Sequence, residues 1–126
     1  MRDTALQVVQ MVPMNFSKVN VEAKEDVSVQ EDGAVGVKIK WLIDKSAGAP
    51  TFAMRHFSVQ PGGHTPLHSH DWEHEVYVLE GEGLVRHENK EYPIRPGDAI
   101  FVPPNQAHQF RSTESSHLRF LCMVPL

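Results

Sequence analysis

Residues 66–83 read PLHSHDWEHEVYVLEGEG. The later part, His74 to Glu80, alternates in polarity, is rich in β-branched and aromatic residues and stops at Gly81, the pattern of a half-buried strand. The earlier part carries histidines at strand spacing. His68 and His70 stand two apart, and on a strand such side chains share a face, so both imidazoles can reach one ion. His74 follows four residues on. With alternation resumed after the Asp71-Trp72 bend it shares that face, and its neighbour Glu75 faces away. A fourth histidine, His108, lies in a separate strand-like run, AHQFR, after PPNQA. Two ligands at strand spacing, a third beyond a bend and a fourth from a distant strand can surround a metal from several sides.

Outward from this stretch the chain keeps one rhythm. From about position 47, prolines and glycines recur every eight to twelve residues. Between them lie TFAMRHFSV (51–59), GLVRH (83–87), EYPIR (91–95), DAIFVPP (98–104) and HLRFLCMV (117–124). Short strands between turn residues predict an all-β sandwich or barrel, and the interruptions come too often for ordinary helices. Glu88 to Lys90 predicts a tight hairpin and Gly97-Asp98 a second turn. Gly62-Gly63, Pro66, Gly81, Gly83 and Pro103 are expected at turns and corners. Upstream, VNVEA (19–23) and VGVKIKWLI (35–43) are expected as strands, separated by the polar stretch 24–33. The first dozen residues are apolar without a clean period and receive only a loose strand assignment. Residues 1–34 read either as an arm that packs on a neighbouring subunit or as a frayed terminus. No repeat or linker appears, so 1–126 is expected as a single domain.

Composition narrows the function. The 126 residues carry a formal charge of −4, which leaves no basic footprint for nucleic acid or an anionic membrane. No apolar run approaches the ~20 residues of a spanning helix. One cysteine, Cys122, cannot form an internal disulfide, which favours a reducing cytosol. The opening MRDTALQVVQMVPM lacks the features of a secretory leader. The N-terminal third shows no helix-turn-helix pattern. Eight histidines in so short a chain are the unusual entry in the composition, and four of them are accounted for above. His56, His64, His87 and His117 have no spacing partner and are expected at the surface or an interface.

At these residues the chain resembles the cupin superfamily. Gly62, His68, His70, His74-Glu75 and Gly81 resemble the first cupin motif, GX5HXHX3-4EX6G, slightly shortened. Gly97, Pro103, Asn105 and His108 resemble the second, GX5PXGX2HX3N, with Asn105 in place of its glycine and Ser112 in place of its final asparagine. Neither departure falls on a family ligand. The resemblance covers about residues 51–124 and implies a double-stranded β-helix, a jelly-roll-like barrel. HSHDWEHEVYVLEGEG is similar to a subgroup of small single-domain cupins that bind manganese through four histidines. It therefore implies His68, His70, His74 and His108 as ligands, with Glu75 as the alternative to His74, since most cupins place a glutamate there. Manganese is the first choice of ion and iron the second, while imidazoles also suit Ni, Co, Cu and Zn. Four neutral rings would leave the ion's charge undiminished, and an ion that prefers six ligands would keep two positions for water, dioxygen or substrate.

Alternation extends the expected site. Phe110 shares the face of His108, and the resemblance implies that Phe120 and Cys122 point into the barrel. Ordinary core packing is the simpler explanation of the two phenylalanines, and Cys122 is expected as an inert buried thiol. Arg55, a charge within a strand, either lines the pocket and holds an anionic group or sits on an exposed face. Glu73 and Glu75 are expected on the outer face or in the bend. The chain has no nucleophile–base arrangement, phosphate-cradling glycine loop or CxxC, so chemistry would run through the metal. The expectation is a metal-dependent, oxygenase-like oxidoreductase acting on a small, partly apolar molecule. The alternatives are a metal-dependent isomerase, cyclase or decarboxylase, and a non-catalytic module that binds a small ligand or a metal. A homodimer is expected from the habit of small cupins and from the apolar N-terminal run.

Overall fold

The computed structural model describes residues 12–126. Its strands are β1 (Val27–Ser28), β2 (Val35–Ile43), β3 (Phe52–His64), β4 (His74–Glu80), β5 (Gly83–His87), β6 (Lys90–Ile94), β7 (Ala99–Val102), β8 (His108–Ser112) and β9 (Leu118–Pro125). All pair antiparallel in one sheet. The longest, β3, organises it. Its first part lies between β2 and β9, with Arg55 opposite Trp41 on one side and Cys122 on the other. At Pro61-Gly62-Gly63 it turns a corner, and His64 then pairs with Arg111 of β8. The corner requires these glycines. Gly62 has φ +76, and a Cβ on Gly63 would stand 2.5 Å from the Val35 carbonyl oxygen. Beyond the corner the path β6-β5-β8-β3-β9-β4-β7 curls into a half-barrel, the all-β, single-domain architecture expected from the sequence.

Alternation fills the inside of the curl. On β9, Leu118, Phe120, Cys122 and Val124 are buried, while Arg119, Leu121 and Met123 lie half-buried on the other face. In register with the inner row stand Val59, Phe57, Arg55 and Ala53 of β3, and Val78 and Val76 of β4. Each large apolar side chain so buried contributes about 1.5–3 kcal/mol. Phe120 also stacks between Phe57 and Phe110, at centroid distances of 5.1 and 4.8 Å.

Three stretches differ from the sequence expectation. VNVEA forms a 3-10 turn at Val21–Ala23, because the Asn20 side chain accepts from the Glu22 N–H and caps it. The polar stretch 24–33 is not all connection, since it holds β1 on the outer edge of β2. Residues 65–73 are irregular, with one isolated bridge between His68 and His108. The loose strand assigned to the first dozen residues lies outside the described residues, apart from Val12.

Candidate metal centre

The bridge decides where the histidines meet. Segment 65–68 runs antiparallel to β8. Thr65 N–H donates to the Phe110 carbonyl (2.9 Å), Phe110 N–H to Thr65 Oγ1 (2.8 Å), and His68 and His108 exchange backbone bonds of 3.2 and 2.9 Å. This pairing, rather than strand alternation, sets the two rings side by side. Two residues on, the His70 carbonyl accepts the Asn105 N–H at 2.5 Å. Asn105 has φ +64, a left-handed conformation that asparagine tolerates, so it fills the place the motif gives to glycine. His74 opens β4 facing inward and is 6 % exposed. Glu75 is exposed on the opposite face, in register with Phe101 and Met123, and Glu73 is exposed in the bend.

His68, His70 and His108 form the tightest group, each offering a ring nitrogen within 4.8 Å of the others. His74 stands beside them, its ring centroid 4.9 Å from that of His108 and 5.1 Å from that of His70. Its nitrogen falls outside the closest group, so a four-nitrogen shell requires His74 to draw nearer than it stands. Three of the rings are held by Nδ1. His108 Nδ1 meets the Gln106 carbonyl at 2.9 Å, His68 Nδ1 meets Glu31 Oε2 at 2.9 Å, and His74 Nδ1 meets Cys122 Sγ at 3.3 Å. An imidazole that donates from Nδ1 presents the lone pair of Nε2, the usual arrangement behind a metal.

The Nε2 atoms behave accordingly. Those of His68 and His70 lie 3.2 Å apart, while two nitrogens at right angles on an ion at ~2.1 Å would stand about 3.0 Å apart. The buried Nε2 of His74 has no partner among the described residues. An orphaned nitrogen beside three converging rings fits a divalent cation. The protonation equilibria agree. Burial, then the neighbouring His108 and Arg55, push the pKa of His74 down to about 3. Burial also lowers those of His70 and His108, so these rings are neutral, as ligation requires, at pH 7. Trp72 stacks on His70 at 4.5 Å and 3°, holding the one ring whose Nδ1 is not engaged.

The histidines occupy one wall of a cavity of about 390 Å³ inside the curl. Arg55, Phe110, Phe120 and Cys122 line it, together with Trp41, Phe57, Trp72 and Glu31, which the sequence reading did not single out. The Arg55 guanidinium lies over the rings of Phe57 (5.0 Å) and Trp41 (5.5 Å), and its Nη2 donates to Cys122 Sγ at 3.0 Å. Its buried Nε finds no acceptor, and it makes no ion pair among the described residues. The exposed-face alternative for Arg55 therefore gives way to the cavity. Burial pushes the Cys122 thiol pKa up, against the nearby Arg55 charge.

The remaining histidines divide. His64 lies near Gln109, His87 near Gln106 and His117 near Ser58, all within hydrogen-bond reach. His56 corrects the expectation of a surface position. It is 6 % exposed, between Lys40 of β2 and Leu121 of β9 in the sheet, and burial lowers its pKa.

Comparison with known proteins follows the same residues. The family described as Cupin domain, Cupin_2, matches residues 55–124, more than half of the chain. The chain is 32 % identical over 106 residues to an oxalate-binding protein of Thermotoga maritima, covering 81 % of this chain and 86 % of that one. It is 37 % identical over 79 residues to 1-methylthio-D-xylulose 5-phosphate methylsulfurylase of Rhodospirillum rubrum, covering 63 % of this chain and 51 % of that protein. Among solved structures, the polyketide cyclase RemF from Streptomyces resistomycificus matches with a TM-score of 0.84 at 35 % identity, over 88 % of this chain and 80 % of that one.

Proposed function

The chain belongs to the cupin family, and from that premise we propose that it is a metal-dependent enzyme in which His68, His70, His74 and His108 hold one divalent ion. The observation that carries this reading is the orphaned, buried Nε2 of His74 beside three rings that converge through their own ring nitrogens. Manganese is the first choice of ion and iron the second. The ion would supply Lewis-acid polarisation of a carbonyl or enolate oxygen.

The chain's own residues set what enters. Phe57, Phe110 and Phe120 give the cavity a flat apolar wall, and Trp41 and Trp72 flank it. Arg55 is a cation with no anionic partner among the described residues, and it shares the Cys122 thiol with His74. A partly buried guanidinium favours a carboxylate or enolate in the cavity, held by charge-assisted hydrogen bonds. The substrate class is therefore a small, planar, partly apolar molecule with an acidic oxygen. Arg55 would fix that oxygen while the reacting carbonyl faces the histidines, which restricts orientation and lowers the entropic part of the barrier. This favours an isomerase, cyclase or decarboxylase over the oxygenase-like oxidoreductase that the sequence places first. One relative is an oxalate-binding protein, and oxalate is a small planar acid; one structural neighbour is a polyketide cyclase. The cytosolic location and the homodimer remain part of the proposal, the latter checked by light scattering at micromolar concentration.

Elemental mass spectrometry on wild type, His74→Ala and Glu75→Ala tests the site. We expect about one ion per chain, lost in His74→Ala and kept in Glu75→Ala. Loss in Glu75→Ala instead would assign the third position to the carboxylate. Turnover of planar keto and enolic acids is expected to persist under strict anaerobiosis. Turnover that stops without dioxygen would restore the oxidoreductase, and tight binding with no product would make the chain a binding module.

A further inference from the structure

The three engaged ring nitrogens behind the candidate ligands each have a partner of a different kind. The Gln106 carbonyl and the Cys122 sulfur, behind His108 and His74, belong to the barrel itself. The partner of His68 is the only carboxylate among them, and it comes from 37 residues upstream. Glu31 sits in the turn between β1 and β2, closed by the Ala34 N–H to the Glu31 carbonyl (3.1 Å). Two features hold that turn against the site. Val29 N–H donates to the Val37 carbonyl at 3.0 Å, and Gly33, with φ +91, lies next to Pro66, where even a Cβ would be in contact at 3.5 Å. Val29, Gln30 and Glu31 consequently form part of the cavity wall.

We propose that Glu31 is a positioning residue for the metal site, acting through His68. Its carboxylate accepts from Nδ1–H of His68, 2.9 Å away, and so fixes the tautomer that turns Nε2 toward His70 and the ion. It also places the one negative charge in direct contact with a ring of an otherwise all-imidazole site. That charge makes the ring a stronger donor and offsets part of the ion's charge. The N-terminal turn thereby becomes a component of the metal centre rather than a connection between strands. This inference rests on the four-histidine reading.

A purely structural ion pair would leave a different signature. Glu31 is half exposed, its side chain 52 % accessible, and a pair of that kind contributes only about 0–1 kcal/mol to stability. The test compares wild type, Glu31→Gln, Glu31→Asp and Glu31→Ala by Mn²⁺ titration calorimetry, by the visible spectrum of the Co²⁺-loaded protein, and by thermal melting of the metal-free protein. Glu31→Ala should weaken Mn²⁺ binding about ten- to hundredfold, the range typical of a lost partner behind a ligand. It should also shift the Co²⁺ bands while melting with wild type in the metal-free form. Glu31→Gln, which keeps an acceptor without the charge, should fall between, and Glu31→Asp should recover part of the loss. Wild-type affinity and spectrum in Glu31→Ala would overturn the role of Glu31 and leave the four-histidine site standing. Absence of Mn²⁺ and Co²⁺ binding by wild type would overturn both.

Discussion

Two cavities of similar size divide the molecule, and only one of them gathers chemistry. The first, about 390 Å³ inside the curl, brings together four imidazoles, a guanidinium and three phenylalanines. The second, about 410 Å³, lies between β5, β6 and β7, where the two ends of the sheet path face one another. His87, Tyr92 and Asp98 line it with Phe101, yet none of its polar groups joins a cluster capable of holding an ion among the described residues. Volume is therefore a poor guide to the site. What separates the two is convergence. In the first, a bridge, a strand start and the Asp71-Trp72 bend bring the ring nitrogens toward one another. In the second, the unpaired edges of β6 and β7 leave a gap that their side chains line.

The sharpest way to break this contrast is to remove Arg55. If the first cavity is a site for planar anions, Arg55→Met should weaken binding of a small aromatic or enolic carboxylate about 10- to 100-fold, the loss of one or two charge-assisted hydrogen bonds. The same substitution should leave the empty protein about as stable as wild type. Exchanging an uncompensated, partly buried cation for an apolar side chain offsets the two cation–π contacts that are lost. Isothermal titration and chemical denaturation read the two effects separately. Unchanged carboxylate affinity would reduce Arg55 to a structural residue and remove the proposed substrate class.

How much of this contrast can be read from the amino acids depends on the range of the interactions. The strands at Val35–Ile43 and Gly83–His87 match the runs VGVKIKWLI and GLVRH, because turn residues and period-two patterning are local signals. The inward row of β9 follows from the same alternation. The geometry around His68 is not local. HSH in a strand predicts two rings on one face, whereas the rings meet because segment 65–68 bonds to β8, some 40 residues away in sequence. Glu31 carries no motif, and only the β1–β2 turn docked on Pro66 brings it to the site. His56, expected at the surface or an interface, is buried, and the composition of its own strand carries no signal of that. VNVEA has the composition of a strand but no strand pairs with it among the described residues, and the Asn20 cap decides.

Acidification should sharpen the contrast with a smaller effect. His74, His70, His108 and His56 all have pKa values lowered by burial, His74 to about 3. In the unfolded chain a histidine titrates near 6.5, so below that pH the unfolded state binds more protons than the folded one. Stability of the metal-free protein is therefore complete above about pH 6.5 and falls as the pH drops toward 3. Denaturant midpoints at pH 7.5, 6.0 and 5.0 should decline in that order. His74→Gln should make the decline shallower, and saturating Mn²⁺ should displace it to lower pH, because the ion holds the neutral ring. A midpoint that is flat across this range would mean that the rings protonate without penalty, and the first cavity would then be far wetter than its burial implies.

The smallest effect belongs to the second cavity. Phe101 stands at its rim, 57 % exposed, on the same strand pairing that carries His74 opposite Val102. Phe101→Ser removes an aromatic ring from that cavity's lining and leaves every residue that lines the first cavity unchanged. A change at so exposed a position should shift stability by no more than about 0.5 kcal/mol. Ion content and carboxylate affinity should stay at wild-type values. Inductively coupled plasma mass spectrometry and the same titration used for Arg55→Met suffice to check this. Coupling between the cavities would have to travel along β7 and β4, from Phe101 across to Glu75 and on to His74. A loss of the ion in Phe101→Ser would show that this strand pair fixes His74, and that the seam is part of the site's support rather than an inert gap between sheet edges.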